Sequence, residues 1–369
     1  MKILPFKGLF PKTDWIASTD TFFSTTKFQF PEYYANNFFE KDEEKAIYIY
    51  RIENHKSSST GIVSSIDLKE IVNGKVVPHE KTIARKEQEQ LNLIIQRKAF
   101  IKPVLLAYQK TNKALQEIIN TNTKKPCHIQ IQLKKGQISH SFWKIRETAS
   151  IKKIQEIFAS KIKKVYIADG HHRCSTASLL WSRRSREGMK TKVSSLISLL
   201  IPFEELDIFD YNRVVNIDGI TNPSKFIASL SKFCKIEVFD RNYKPEKKHE
   251  LSMFIEEDWY KIKWKKSVLE EYKSLKHVLD HSILNDIVFN KILGIEDVKY
   301  DASLSYVPGT EKWNGVIKKV MAVPSGVGFM LYPINEVELR YHADNDIALP
   351  PKSTYFEPRM LNGLLSEEI

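Results

Sequence analysis

Residues 165–181 read VYIADGHHRCSTASLLW, a stretch in which five consecutive polar or flexible residues, Asp169 to Arg173, stand between two apolar segments. Val165, Tyr166, Ile167 and Ala168 have the apolar, partly β-branched character of a buried strand. From Cys174 to Trp181 small and apolar residues predominate, with Ala177, Leu180 and Trp181 at helical spacing, which predicts a helix. The polar run therefore falls at a strand-to-helix turn. Gly170 relaxes the backbone there, and the first amides of the new helix have no acceptor within it, so an anion is a natural guest. His171, His172 and Arg173 beside those amides deepen the preference. The alternative is structural: Asp169 caps the helix and the histidines are solvated.

The 369-residue chain is long enough for one large or two closely packed domains. Its 42% hydrophobic and 28% charged content is that of a soluble globular protein and excludes a disordered one. A formal charge of +12 admits nucleic acid, a membrane surface or anionic metabolites as partners. Lysine is spread throughout, however, and the run KKIQEIFASKIKK at 152–164 has the helical periodicity of a solvated face. Cys127, Cys174 and Cys234 are far apart and make neither a zinc pattern nor a disulfide framework, which points to a reducing compartment. The opening MKILPFKGLFPKTDW is interrupted by Pro5 and Pro11 and lacks an apolar run of signal-peptide length, and no later segment reaches membrane-spanning length. The expectation is a cytoplasmic protein with no membrane partner.

Outward from the turn, strands are expected at 45–52, 60–68, 103–109 and 193–202, and helices over 84–98 and 150–163. CHIQIQL (127–133) and SHSFWKI (139–145) read as a hairpin around Lys-Lys-Gly-Gln. The second half carries expected helices at 222–233 and 278–293, and strands at 235–240, near 251–264, at 303–307 and at 327–334. Strands and helices mix without a regular βαβ rhythm, so the fold class is α+β. The expected division is 1–215 and 216–369.

Three further clusters sit where apolar segments stop. In VVPHEKTIARKEQEQ, His79, Glu80, Lys81 and Thr82 precede a helix; Glu80 is suited to general-base work and Lys81 to phosphate, or else Thr82 simply caps the helix. In FDYNRVV (209–215), Asn212 and Arg213 lie among apolar residues, and a buried arginine there is either an internal ion pair or a substrate fork. In PPKSTYFEPR (350–359), Lys352, Ser353 and Thr354 supply a cation and two hydroxyls in a proline-held loop, suited to closing over an anion or to a rigid clasp.

The ordered set PFKGL, HEKT, YIADGHHR, YNRVV, LNDIVFNKILGI and PPKSTYFEPR resembles, over nearly the full length, the family catalogued as domain of unknown function 1015. ADGHHR is also similar to the phosphate-binding turn of the ParB/sulfiredoxin superfamily, whose members include the ParB nucleotidase, sulfiredoxin and a free serine kinase. The resemblance implies a ParB/sulfiredoxin-like core in the first lobe and a second packed α+β lobe whose tail returns to the site. It departs in one place. Family members carry a Pro-Tyr-Asp-Val segment after the N-terminal motif, whereas this chain has STDTFFSTTKFQFPEYY.

The resemblance implies chemistry on serine or phosphoserine; the residues themselves support phosphoryl binding beside an acid or base. The expected function is a phosphoryl-transfer or phosphate-ester-hydrolysing enzyme acting on a small metabolite. Gly170, His172 and Arg173 would hold the phosphate, together with His79, Lys81, Asn212, Arg213, Lys352, Ser353 and Thr354. Asp169 or Glu80 would act as base or metal ligand, and His171 as acid, base or phosphohistidine. Mg2+ and a nucleotide, ATP or ADP, are the cofactors such chemistry would use; no dedicated metal site is expected. Two alternatives stand beside it. One is a ParB-like nucleotide-dependent switch on DNA, against which no helix-turn-helix follows the motif, so that nucleic-acid binding should be weak and non-specific. The other is a non-catalytic ligand-binding protein.

Overall fold

Val165 to Ala168 are all buried, as are Val104 to Tyr108 beside them, because both faces of these strands are covered. The structure, a computed structural model, describes residues 1–55, 57–133, 137–186, 193–273 and 276–369. Chain contacts divide it into two units, Met1–Asp207 with Pro358–Ile369, and Ile208–Glu357. A division after residue 215 would cut through the strand Tyr211–Asn216.

The first unit is built on a nine-stranded sheet in the order Val76–Val77, Val165–Asp169, Val104–Tyr108, Ser195–Pro202, Ser58–Asp67, Ile47–Asn54, Ile138–Ile145 and Ile129–Leu133, with Ile3–Leu4 also pairing Ser58–Asp67. The sheet is mixed. Val165–Asp169 runs parallel to Val76–Val77 and antiparallel to Val104–Tyr108, while Ser195–Pro202 runs parallel to Val104–Tyr108. The register of Val165–Asp169 slips between Ile167 and Asp169, next to the turn. The expected hairpin pairs Ile129–Leu133 with Ile138–Ile145, and its turn at 134–136 lies outside the described residues. Helices Ala84–Arg97 and Thr148–Lys161 fall within two residues of the ranges expected for them.

Helix Thr19–Ala35 was not expected. Its threonines and aromatics are indifferent helix formers and it contains Pro31, but Ser18 caps its N-terminus and Phe22, Phe23, Thr26 and Phe30 are buried along it. Tertiary burial outweighs local propensity there. The stretch STDTFFSTTKFQFPEYY, where the resemblance departs, is thus a packed helix.

The second unit has a six-stranded antiparallel sheet, Cys234–Phe239, Asp258–Trp264, Glu250–Ile255, Gly326–Met330, Tyr211–Asn216 and Leu304–Pro308. Val215, Phe226, Met253, Ile283, Val288 and Phe289 form its principal core. The helix expected at 278–293 is a short α-helical piece, Asp280–Ile283, running into a π-helix, Leu284–Ile292. Both units mix helices and strands, so the α+β class stands. No helix among the described residues is long and apolar enough to cross a membrane.

Candidate phosphate-binding site

Asp169 is the last residue of its strand, and helix His171–Arg186 begins two residues later, so Gly170 alone makes the turn. Only glycine suits it. Its φ is +111°, and a Cβ would stand 2.9 Å from both Arg173 Nη2 and Val104 Cγ1. Gly170 O accepts from Cys174 N at 2.9 Å, closing the first helical turn. His171, His172 and Arg173 are therefore helical, one turn earlier than the apolar pattern from Cys174 predicts, in the first turn, whose amides look outside the helix for acceptors.

The side chains of the turn correct two expectations. Arg173 is a structural clamp: Nη1 donates to the carbonyls of Lys102 and Pro103, both at 2.7 Å, and Nη2 donates to Asp169 Oδ2 at 2.7 Å. A fork so engaged has little left for a ligand phosphate. Asp169 also faces Lys102 Nζ at 3.2 Å and Arg359 Nη1 at 3.5 Å. Burial opposes its charge, but Lys102, Arg173 and Arg359 outweigh burial and hold the carboxyl far below the usual carboxylate range. Such a group is a poor base, and with three cations around it a poor metal ligand as well. Among the described residues no group of three or more His, Cys, Asp or Glu side chains could hold a metal ion.

What the turn does gather is positive charge. Lys102 and Arg359, each about one fifth exposed, bring two cations that the sequence reading did not single out. Burial pulls the Lys102 ammonium down from its ordinary value and Asp169 pulls it back up. Three cations against one carboxylate leave an excess beside the first amides of a helix, the arrangement an anion completes.

His79 and His171 meet at the same end. The His79 amide donates to His171 Nε2 at 3.4 Å, and the two rings stand edge to face with centroids 4.4 Å apart. Burial lowers His171 to about 4 and, with the neighbouring His171, holds His79 well below its ordinary value, so both rings are neutral. With Nε2 accepting from an amide, a phosphohistidine at that atom would have to give up the contact. Glu80 is half-buried and Lys81 exposed, just ahead of helix Ala84–Arg97.

The remaining expected contacts lie in the second unit. Arg213, fully buried, donates to the carbonyls of Tyr211 at 2.9 Å, Lys352 at 2.7 Å and Pro351 at 3.1 Å, and lies over the Tyr306 ring, which is the work of an internal clasp. Ser353 Oγ donates to Pro350 O at 2.7 Å, Lys352 lies over the Tyr211 ring, and Thr354 is buried. Asn212 is buried, and neither polar atom of its side chain has a hydrogen-bond partner among the described residues.

A family model described as "Protein of unknown function (DUF1015)" matches residues 11–282. No curated protein matches the chain significantly. Among solved structures, SbnI with C-terminal truncation from Staphylococcus aureus is similar over 81% of this chain and 85% of its own, at 10% identity and a TM-score of 0.43. Free serine kinase in complex with AMP is similar over 85% and 95%, at 14% identity and a TM-score of 0.39. A conserved hypothetical protein from Pyrococcus furiosus is similar over 86% and 97%, at 15% identity and a TM-score of 0.39.

Proposed function

The chain belongs to the DUF1015 family, and from that premise we propose that it is a phosphoryl-transfer or phosphate-ester-hydrolysing enzyme acting on a small metabolite, with serine or phosphoserine as favoured substrate. The observation that carries the reading is the charge count at the 169–173 turn, where Lys102, Arg173 and Arg359 surround one carboxylate at the start of a helix. The amides of His171, His172 and Arg173 receive the phosphate oxygens, and Lys102 and Arg359 neutralise charge as it develops on them. Arg173 and Asp169 act through these groups by fixing where they stand. Glu80, half-buried ahead of the neighbouring helix, takes the proton from the attacking hydroxyl or water. The neutral His171 remains able to accept or give a proton.

A nucleotide, ATP or ADP, is the phosphoryl donor in the transfer direction. Asp169 does not fit a Mg2+ ligand, so no step here is assigned to protein-held metal. The test is incubation of the protein with phosphoserine, and separately with serine plus ATP, ADP or pyrophosphate, with free phosphate and phosphoserine both measured. Release of phosphate from phosphoserine identifies a phosphatase, and formation of phosphoserine a kinase. Phosphate binding without turnover would identify a non-catalytic ligand-binding protein instead. The net charge of +12 favours a second reading, a nucleotide-dependent switch on DNA.

A further inference from the structure

A cleft of about 180 Å³ lies between helix Ala84–Arg97 and helix His171–Arg186. The two helices rise together from the turn: Ser175 Oγ donates to the Glu87 carboxylate and Thr176 Oγ1 to Glu87 O at 3.3 Å, while Leu91 and the pair Leu179 and Leu180 wall the cleft further along. Its charged groups are of opposite sign and stand toward opposite ends. Glu87 is nearest the turn and its carboxyl lies below the usual range, held there by the hydroxyls of Ser175 and Thr82 and by His172, so it is a dependable anion. Arg183 presents an exposed guanidinium from the far end.

We propose that this cleft binds the zwitterionic head of an α-amino acid, with its ammonium on Glu87 and its carboxylate on Arg183. The side-chain hydroxyl or phosphate then points past His172 to the 170–173 turn. This rests on the reading of that turn as a phosphate site and extends it to the rest of the substrate. From Ser175 to Arg183 is roughly 12 Å along the helix axis. Helical side chains lean toward the N-terminus, so Arg183 reaches back toward Glu87 and closes most of that span. The volume suits a small metabolite better than a drug-sized ligand. Two carboxylate oxygens can accept more bonds than the two hydroxyls supply, so Glu87 keeps room for an ammonium.

Calorimetric titration tests this with four probes: O-phospho-L-serine, O-phosphoethanolamine, which lacks the carboxylate, 3-phosphoglycerate, which lacks the ammonium, and inorganic phosphate. Phosphoserine should bind about tenfold or more tightly than either analogue, the scale of one lost hydrogen-bonded charge. Arg183→Gln should close the gap to phosphoethanolamine and Glu87→Gln the gap to phosphoglycerate, each leaving inorganic phosphate unchanged and the circular dichroism native. If inorganic phosphate binds but phosphoserine binds no better than its analogues, or the gaps survive in both variants, the cleft assignment is overturned while the phosphate site stands. If inorganic phosphate does not bind, the phosphate reading fails on its own. L-serine alone then decides the cleft: binding that both variants abolish upholds it, and no binding overturns it.

Discussion

Arg173→Ala removes a side chain that is 16% exposed and makes three short hydrogen bonds, two to the carbonyls of Lys102 and Pro103 and one to Asp169. Deleting one partner of a buried, hydrogen-bonded ion pair costs about 3–5 kcal/mol, because the other partner keeps its desolvation penalty. Asp169 retains Lys102 and Arg359, so the loss should fall near the lower end, about 3 kcal/mol. In equilibrium urea unfolding this lowers the midpoint by about 1 M or more at an ordinary m value of about 1–3 kcal/mol per M. Arg173→Lys should recover less than half of it, since an ammonium cannot span two carbonyls and a carboxylate as the planar fork does. Lys102→Ala removes a single ion pair of an ammonium that burial already disfavours. It should cost far less stability, yet weaken phosphate or sulfate binding about tenfold or more by calorimetry. The reasoning is refuted if Arg173→Ala destabilises by less than about 1 kcal/mol while phosphate affinity collapses, for Arg173 would then face the ligand rather than the fold.

Gly170→Ala should lower stability by about 1–3 kcal/mol and disturb Arg173, because φ of +111° and the 2.9 Å approaches leave no room for a Cβ; thermal unfolding with and without phosphate reads both effects. Acidification should weaken the fold between about pH 6.5 and 4: burial brings His171 and His140 down to about 4 and holds His79 well below its ordinary value, against about 6.5 when unfolded, so the unfolded chain binds more protons in that window and stability is lost as pH falls through it. A urea midpoint independent of pH across the window would contradict this. Glu80→Gln should lower turnover by about a hundredfold and leave phosphate affinity nearly intact, as expected for a proton acceptor; equal losses in both would reassign it to binding. Binding to duplex DNA should be weak and indifferent to sequence, falling roughly a thousandfold between 50 and 200 mM salt; tight, sequence-selective binding at physiological salt would promote the DNA switch.

The strand, the glycine turn and the helix after it were legible in residues 165–181, since each follows from local chemistry. The partners of Arg173 were not. Nothing in its sequence neighbourhood indicates that the guanidinium reaches the Lys102 and Pro103 carbonyls, and a fork tied to backbone looks, in sequence, like a fork awaiting phosphate. Lys102 and Arg359 were missed for the same reason. Each stands beside a proline, Arg359 at the end of the PPKSTYFEPR stretch whose Lys352, Ser353 and Thr354 drew the attention, and only the fold brings both to Asp169. Glu87 stands out no more than the other charged residues of its helix, and its bond to Ser175 depends on the packing of two helices far apart in sequence. Helix Thr19–Ala35 was hidden by its threonines, aromatics and Pro31, whose poor propensity burial overrides.

The segment Pro358–Ile369 belongs to the first unit, and it carries Arg359 to Asp169 while Glu367 and Glu368 pair with Phe100 and Ala99. The first unit is thus discontinuous, its last piece separated from the rest by the whole of the second. During synthesis at about 5–20 residues per second, Arg359 leaves the ribosome on the order of ten seconds or more after Arg173. Until then Asp169 has Lys102 and Arg173 but not its third cation, and the two-stranded ribbon that Ala99 and Phe100 form with Glu367 and Glu368 cannot exist. The nascent first unit must wait, unfinished, for the second to be made, an interval in which its incomplete part is open to mispairing and to chaperones.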